Sequence, residues 1–290
     1  MRVRIFGLLS ALAFMLVAAV PASAASEGHS YLALGDSVPF GFNPDPALWS
    51  HAGNFIGYPE IVARRLNIED VNATCPGEAT GGFISLTGTD NSCRGYRFAL
   101  HEPLHVTYAG TQLAFAIGYL TKHPRTRLVT LTLGANDFFR FQKDCAAGAN
   151  VGTCPLGLGG VAATMQANLN TILDAIRATG YSGLIVAVTY YALDYRDVSG
   201  SVFLNAPMIA AATAHGALIA SGLTAWAPTA AGGSSCAAGL LLPAFPPGSV
   251  GCDVHPTPLG RDLLAAAVVD TIAASCQSHS AIGCLDRSRG

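Results

Sequence analysis

Charge is scarce in this chain. Asp, Glu, Lys and Arg together make up 12% of 290 residues, and the formal net charge is −2. A nucleic-acid partner would need a basic stripe, and none is present. Tryptophan occurs only at Trp49 and Trp226, too sparse for an aromatic platform that stacks sugars. The eight cysteines never stand in Cys-x-x-Cys spacing, which excludes a zinc knuckle, and no metal is expected. Beyond Val20 no run is long and apolar enough to span a bilayer. There is no internal repeat, low-complexity tract or linker to mark a second domain.

Apolar residues are abundant instead, at 51%. Such a chain can bury a sizeable core and does not have the composition of a disordered one. At its start Arg2 and Arg4 precede an apolar run, Ile5 to Val20, and then Pro21-Ala22-Ser23-Ala24. A positive opening, a short apolar stretch and a small-residue cut site form the pattern of a secretory signal peptide. Residues 1–24 are therefore expected to be removed, leaving one domain over 25–290, exported and extracellular. In an oxidising compartment an even cysteine count reads as disulfides. Neighbouring cysteines suggest the pairs Cys75 with Cys93, Cys145 with Cys154, Cys236 with Cys252, and Cys276 with Cys284. Each bridge would stabilise its loop by about 2–4 kcal/mol.

Strand and helix patterns alternate along the chain. Strands are expected at Tyr31–Leu34, Asn67–Ala73, Arg127–Leu133, Leu184–Thr189 and Ala217–Ala220. Helices are expected at Tyr58–Leu66, Thr111–Lys122, Val161–Thr179, Asn205–Ala214 and Pro258–Ala274. Cys75–Tyr108, Asp144–Gly160 and Ser221–Val254 read as loop-rich. Strict alternation predicts parallel strands with helices on both faces, a three-layer α/β/α sandwich. In such sheets ligands bind beyond the carboxyl ends of the strands. Two of those ends carry polar turns that folding does not require: Gly35-Asp36-Ser37 and Gly134-Ala135-Asn136-Asp137.

A Gly-Asp-Ser turn is also an ordinary helix cap. Its functional reading is a hydroxyl nucleophile, Ser37, projecting from the sheet edge beside a helix N-terminus. Such a nucleophile needs a base. Of eight histidines, only His255 sits in a tight segment just before the last helix, Gly251-Cys252-Asp253-Val254-His255-Pro256. His51, His101, His105 and His215 have no readable chemical neighbourhood.

The ordered set Gly35-Asp36-Ser37, Gly77 within Cys75-Pro76-Gly77-Glu78, Gly134-Ala135-Asn136-Asp137 and His255-Pro256 resembles the GDSL, or SGNH, hydrolase family. The resemblance implies a flavodoxin-like sheet and serine ester hydrolysis that needs no metal or other cofactor. It also implies that Ser37 attacks, His255 is the general base, and the oxyanion is held by the N–H groups of Ser37 and Gly77 and the Asn136 amide. The chain departs from the family pattern at one point. An Asp usually stands three residues before the His, where this chain has Cys252. Either Asp253 reaches the imidazole through a local turn, or a backbone carbonyl near Cys252 holds it.

Phe138, Phe139 and Phe141 follow the Asn136 turn, and Leu240 to Pro247 precedes the His255 loop. If both flank the cleft, the expected substrate is a small-molecule or lipid ester, with transient contact to lipid surfaces and a monomeric state. The alternatives are a carbohydrate O-acetyl esterase and a non-catalytic secreted binding protein on the same scaffold.

Overall fold

Tyr31, Leu32, Ala33 and Leu34 are fully buried in the first strand, β1 (Ser30–Gly35), an interior strand of a sheet covered on both faces. The structure is a computed structural model that describes residues 30–148, 154–276 and 285; the expected signal segment lies outside them. After β1 come α1 (Ser37–Phe40), α2 (Tyr58–Leu66), β2 (Glu69–Asn72), α3 (Thr80–Ile84), α4 (Gln112–Lys122), β3 (Thr126–Thr132), α5 (Ala135–Ala146) and α6 (Cys154–Ala178). The chain continues through β4 (Leu184–Thr189), α7 (Ser199–Ala214), β5 (Leu218–Ser221), α8 (Gly222–Ala230), β6 (Leu241–Pro243), β7 (Cys252–Pro256) and α9 (Pro258–Ser275).

Five strands form a parallel sheet in the order β2-β1-β3-β4-β5, while β6 and β7 make a separate antiparallel pair. Period-two alternation sends successive side chains to opposite faces. Leu32, Leu34, Val129, Leu131, Ile185 and Ala187 join one core beneath α4, α6 and α7. Tyr31, Ala33, Leu128, Val186, Val188 and Ala220 join the other, against α2, α8 and α9. The three-layer α/β/α sandwich expected from alternation is the architecture observed. Among the described residues no helix is long and apolar enough to cross a membrane.

Local chemistry sets the helix ends. Thr111 Oγ1 accepts from Ala114 N–H at 3.1 Å and starts α4. Glu60 reaches back to Gly57 N–H at 2.8 Å and starts α2, which ends on Asn67 in the left-handed region. Other boundaries differ from the sequence reading. The Ser221–Val254 stretch holds α8 and the β6–β7 hairpin, because Gly222 and Pro228 sit in a helix that packing stabilises against α9. Helix α7 starts at Ser199 and passes through Pro207. The expected Asp144–Gly160 loop is mostly helix, α5 running to Ala146 and α6 starting at Cys154. Disulfides join Cys75–Cys93, Cys145–Cys154 and Cys236–Cys252. The expected Cys276–Cys284 bridge involves a residue, Cys284, outside the described ones.

Candidate active site

In the strand order 2-1-3-4-5 the chain leaves β1 towards one side and returns on the other, so a crevice opens beyond the carboxyl ends of β1 and β3. The Gly35-Asp36-Ser37 turn follows β1, and Gly134-Ala135-Asn136 follows β3. Gly35 adopts φ +132°, and a β-carbon there would lie 2.0 Å from the Thr132 carbonyl oxygen; only glycine lets the strands close up at this point. Gln112 clamps the same residue, accepting from Gly35 N–H at 2.5 Å and donating to its carbonyl at 3.0 Å. Asp36 then caps α1 through Val38 N–H at 3.0 Å, so the turn is indeed a helix cap, and Ser37 is the first residue of that helix.

Ser37 and His255 are 218 positions apart in sequence, and the fold brings Ser37 Oγ to 2.8 Å from His255 Nε2. The other ring nitrogen, Nδ1, is hydrogen-bonded to Asp253 Oδ1, which also accepts from the His255 backbone N–H at 2.9 Å. The acceptor is thus a carboxylate, and it needs no turn: Asp253 and His255 lie two apart in the extended strand β7 and share a face. Burial pushes the Asp253 carboxyl up, but the hydrogen bond and charge of His255 outweigh it and hold it below the ordinary carboxylate value. The segment is fixed from outside by the Cys236–Cys252 disulfide and by Tyr191, whose hydroxyl donates to Val254 O at 2.6 Å.

Gly77 and Asn136 border the same cleft as Ser37 and His255. Gly77 has φ +80°, and a β-carbon would stand 2.0 Å from Ser92 Oγ, so the position accepts glycine alone. Among the described residues its N–H has no hydrogen-bond partner. Asn136 is buried in the first turn of α5, and its Oδ1 accepts from Asn91 Nδ2 at 2.9 Å. That leaves the Asn136 amino group as the free end of the amide. Hydroxyl, imidazole, carboxylate and three N–H donors around one crevice can perform nucleophilic acyl transfer.

The GDSL-like Lipase/Acylhydrolase family matches residues 33–263. The chain belongs to that family. No curated protein matches its sequence. Among solved structures it is similar to phospholipase A1 from Streptomyces albidoflavus, with 19% identity, 83% of this chain and 98% of that chain covered, and a TM-score of 0.51. An alpha/beta hydrolase enzyme from the metagenome of Lake Arreo, Spain, gives 15% identity, coverage of 89% and 96%, and 0.51. An acetylxylan esterase from Geobacillus stearothermophilus gives 15%, 84% and 94%, and 0.51. At these identities the likeness is one of fold.

In this GDSL-like chain the two acids of the turn motifs are structural. Burial, opposed mainly by the Tyr190 hydroxyl bonded to it, lifts the Asp36 carboxyl to about 6. Tyr190 in turn accepts from Ala135 N–H at 3.1 Å, so the ends of β1 and β4 and the start of α5 are tied together. Asp137 is raised by burial and accepts from Thr80 N–H at 2.9 Å and Thr80 Oγ1 at 2.6 Å, locking α5 to α3. His105, unreadable in sequence, donates from Nε2 to Phe40 O at 3.1 Å and braces α1 from below. Glu78, Asp90 and Cys93 cluster closely enough to suggest a metal. The Cys93 sulfur, however, is bonded to Cys75, and Asp90 accepts from Cys93 and Arg94 N–H groups, so the donor set is spent on the loop. Burial, then Asp90, pushes Glu78 up to about 8.

The cleft has a volume of about 660 Å³. Phe138 and Phe139 line it as expected, but Phe141 packs on Gly157 of α6. The Leu240–Pro247 stretch does not border it: Leu240 and Leu241 are buried in the core beneath the hairpin, and Leu242 to Phe245 with Pro247 border a separate hollow with Asn43 and Pro44. Its place is taken by Phe42, Leu158, Leu193, Phe203 and Leu204. Leu193 and Phe203 lie in stretches whose spacing gave no sign of the cleft, because they are brought there by the β4–α7 connection and the outer face of α7.

Proposed function

We propose that this chain is a secreted serine ester hydrolase that cleaves lipophilic carboxylic esters. Ser37 Oγ attacks the ester carbonyl carbon while its proton passes to His255 Nε2, with Asp253 holding the imidazole. The carbonyl oxygen becomes an oxyanion facing the N–H groups of Ser37 and Gly77 and the Asn136 amide. Collapse breaks the bond to the alcohol, which takes the proton from His255, and leaves an acyl group on Ser37. Water, deprotonated by His255, then releases the acid and restores the serine.

The observation that carries this reading is the 2.8 Å contact between Ser37 and His255 at the floor of an apolar crevice. The lining favours an acyl chain over an acetylated sugar, and Phe139, Leu158, Leu193 and Phe203 stand exposed, a rim suited to transient contact with a lipid surface. The export pattern of residues 1–24 and the disulfides support an extracellular site of action. Ser37→Ala should cut hydrolysis of p-nitrophenyl esters by more than about 10³-fold with the thermal unfolding temperature unchanged, and a fluorophosphonate should label the parent at Ser37. An active Ser37→Ala variant would refute Ser37 as the nucleophile, and folded parent that neither hydrolyses an ester nor takes the label would leave a binding protein.

A further inference from the structure

Asn91 belongs to none of the sequence motifs, yet it touches both groups that flank the oxyanion position. It lies in the loop closed by the Cys75–Cys93 disulfide. Its backbone N–H donates to Gly77 O at 3.1 Å, and the next residue, Ser92, donates to the same oxygen at 3.2 Å. Its side-chain Nδ2 donates to Asn136 Oδ1 at 2.9 Å. A primary amide can sit in either of two end-for-end orientations, and only one presents its amino group to the cleft. With the Asn91 amino group facing it, reversing Asn136 alone would set two donors against each other. We infer that Asn91 is a positioning residue that holds the Asn136 amide with its donor end towards the developing oxyanion. The inference rests on the serine ester hydrolysis proposed above.

The test separates orientation from mere support. Asn91→Asp keeps size and shape but offers only acceptors, so it attracts the Asn136 amino group and turns it away from the cleft. Its kcat should fall about 10²-fold, as for loss of one oxyanion donor, with KM within about twofold of the parent. Asn91→Ala, which frees the amide without reversing it, should lose less, about 10-fold in kcat. The unfolding temperature of both should match the parent. In an Asn136→Ala background, the uncharged Asn91→Ala should add less than about twofold, since the side chain then has nothing to orient. Parental kcat in both Asn91 variants beside an inactive Ser37→Ala would overturn this inference alone. So would losses that multiply fully in the double variant, or a KM rise that accounts for the loss. Activity surviving Ser37→Ala would remove it together with the hydrolase reading.

Discussion

A hydroxyl is a poor nucleophile until something removes its proton, and in the mechanism proposed above Asp253 determines whether His255 can. There the carboxylate would fix which ring nitrogen carries hydrogen and stabilise the imidazolium that forms on attack. Asp253→Asn keeps the shape and removes the charge; its kcat should fall by about 10²–10⁴-fold, measured at saturating ester with unfolding temperature as control. A loss below tenfold would mean that the carboxylate is dispensable and that a neutral acceptor serves as well. The two-residue spacing in Asp253-Val254-His255 was legible only once the segment was known to be extended, because the period of a strand is what puts both side chains on one side. Ser37 was legible because turn residues at the edge of a sheet stand out, and His255 because it sits in a tight segment just before the last helix. Asn91 was not: a single Asn in a Gly- and Thr-rich loop carries no periodicity, and its partner is 45 positions away.

Four pieces of secondary structure meet at Asp36. It ends β1, starts α1, and through Tyr190 binds the end of β4 and the first N–H of α5. Full burial lifts its carboxyl from 3.8 to about 6. The folded chain therefore binds this proton more tightly than the unfolded chain, and this group's contribution to stability declines as pH rises from about 4 to about 6. Above that range the ionised carboxylate costs about 3 kcal/mol. Asp36→Asn has no proton to lose. Relative to the parent, its unfolding free energy should gain about 2 kcal/mol between pH 4 and pH 7, read from urea titrations at the two pH values. A difference independent of pH would show that Asp36 is not the titrating group. The β-branched strands and most helices could be placed in advance because their apolar periods are long. Helix α8 could not, since Gly222 and Pro228 are poor helix formers and burial of Trp226 and Ala230 overrides them. Leu240–Pro247 misled for the converse reason: an apolar run announces burial without saying on which side of the sheet.

The sheet order decides where the pocket lies, and the two helical layers decide what it can hold. Beyond the β1–β3 crevice, α5 and α7 carry Phe138, Phe139, Phe203 and Leu204 into the lining of an apolar space of about 660 Å³ beside Ser37. An acyl chain lying there leaves water methylene by methylene, each worth about 0.8 kcal/mol, or up to about fourfold in kcat/KM. Across p-nitrophenyl acetate, butyrate, hexanoate and octanoate, kcat/KM should therefore climb with chain length and level off only when further carbons project past the exposed rim of Leu158 and Leu193. Replacing Phe203 by Ala should flatten the climb for the longer esters and leave the acetate rate within about twofold, because the short acyl group never reaches that wall. Highest turnover on acetate, with no gain from added carbons, would mean that the apolar wall faces something other than the acyl chain, and would favour an acetylated carbohydrate as substrate.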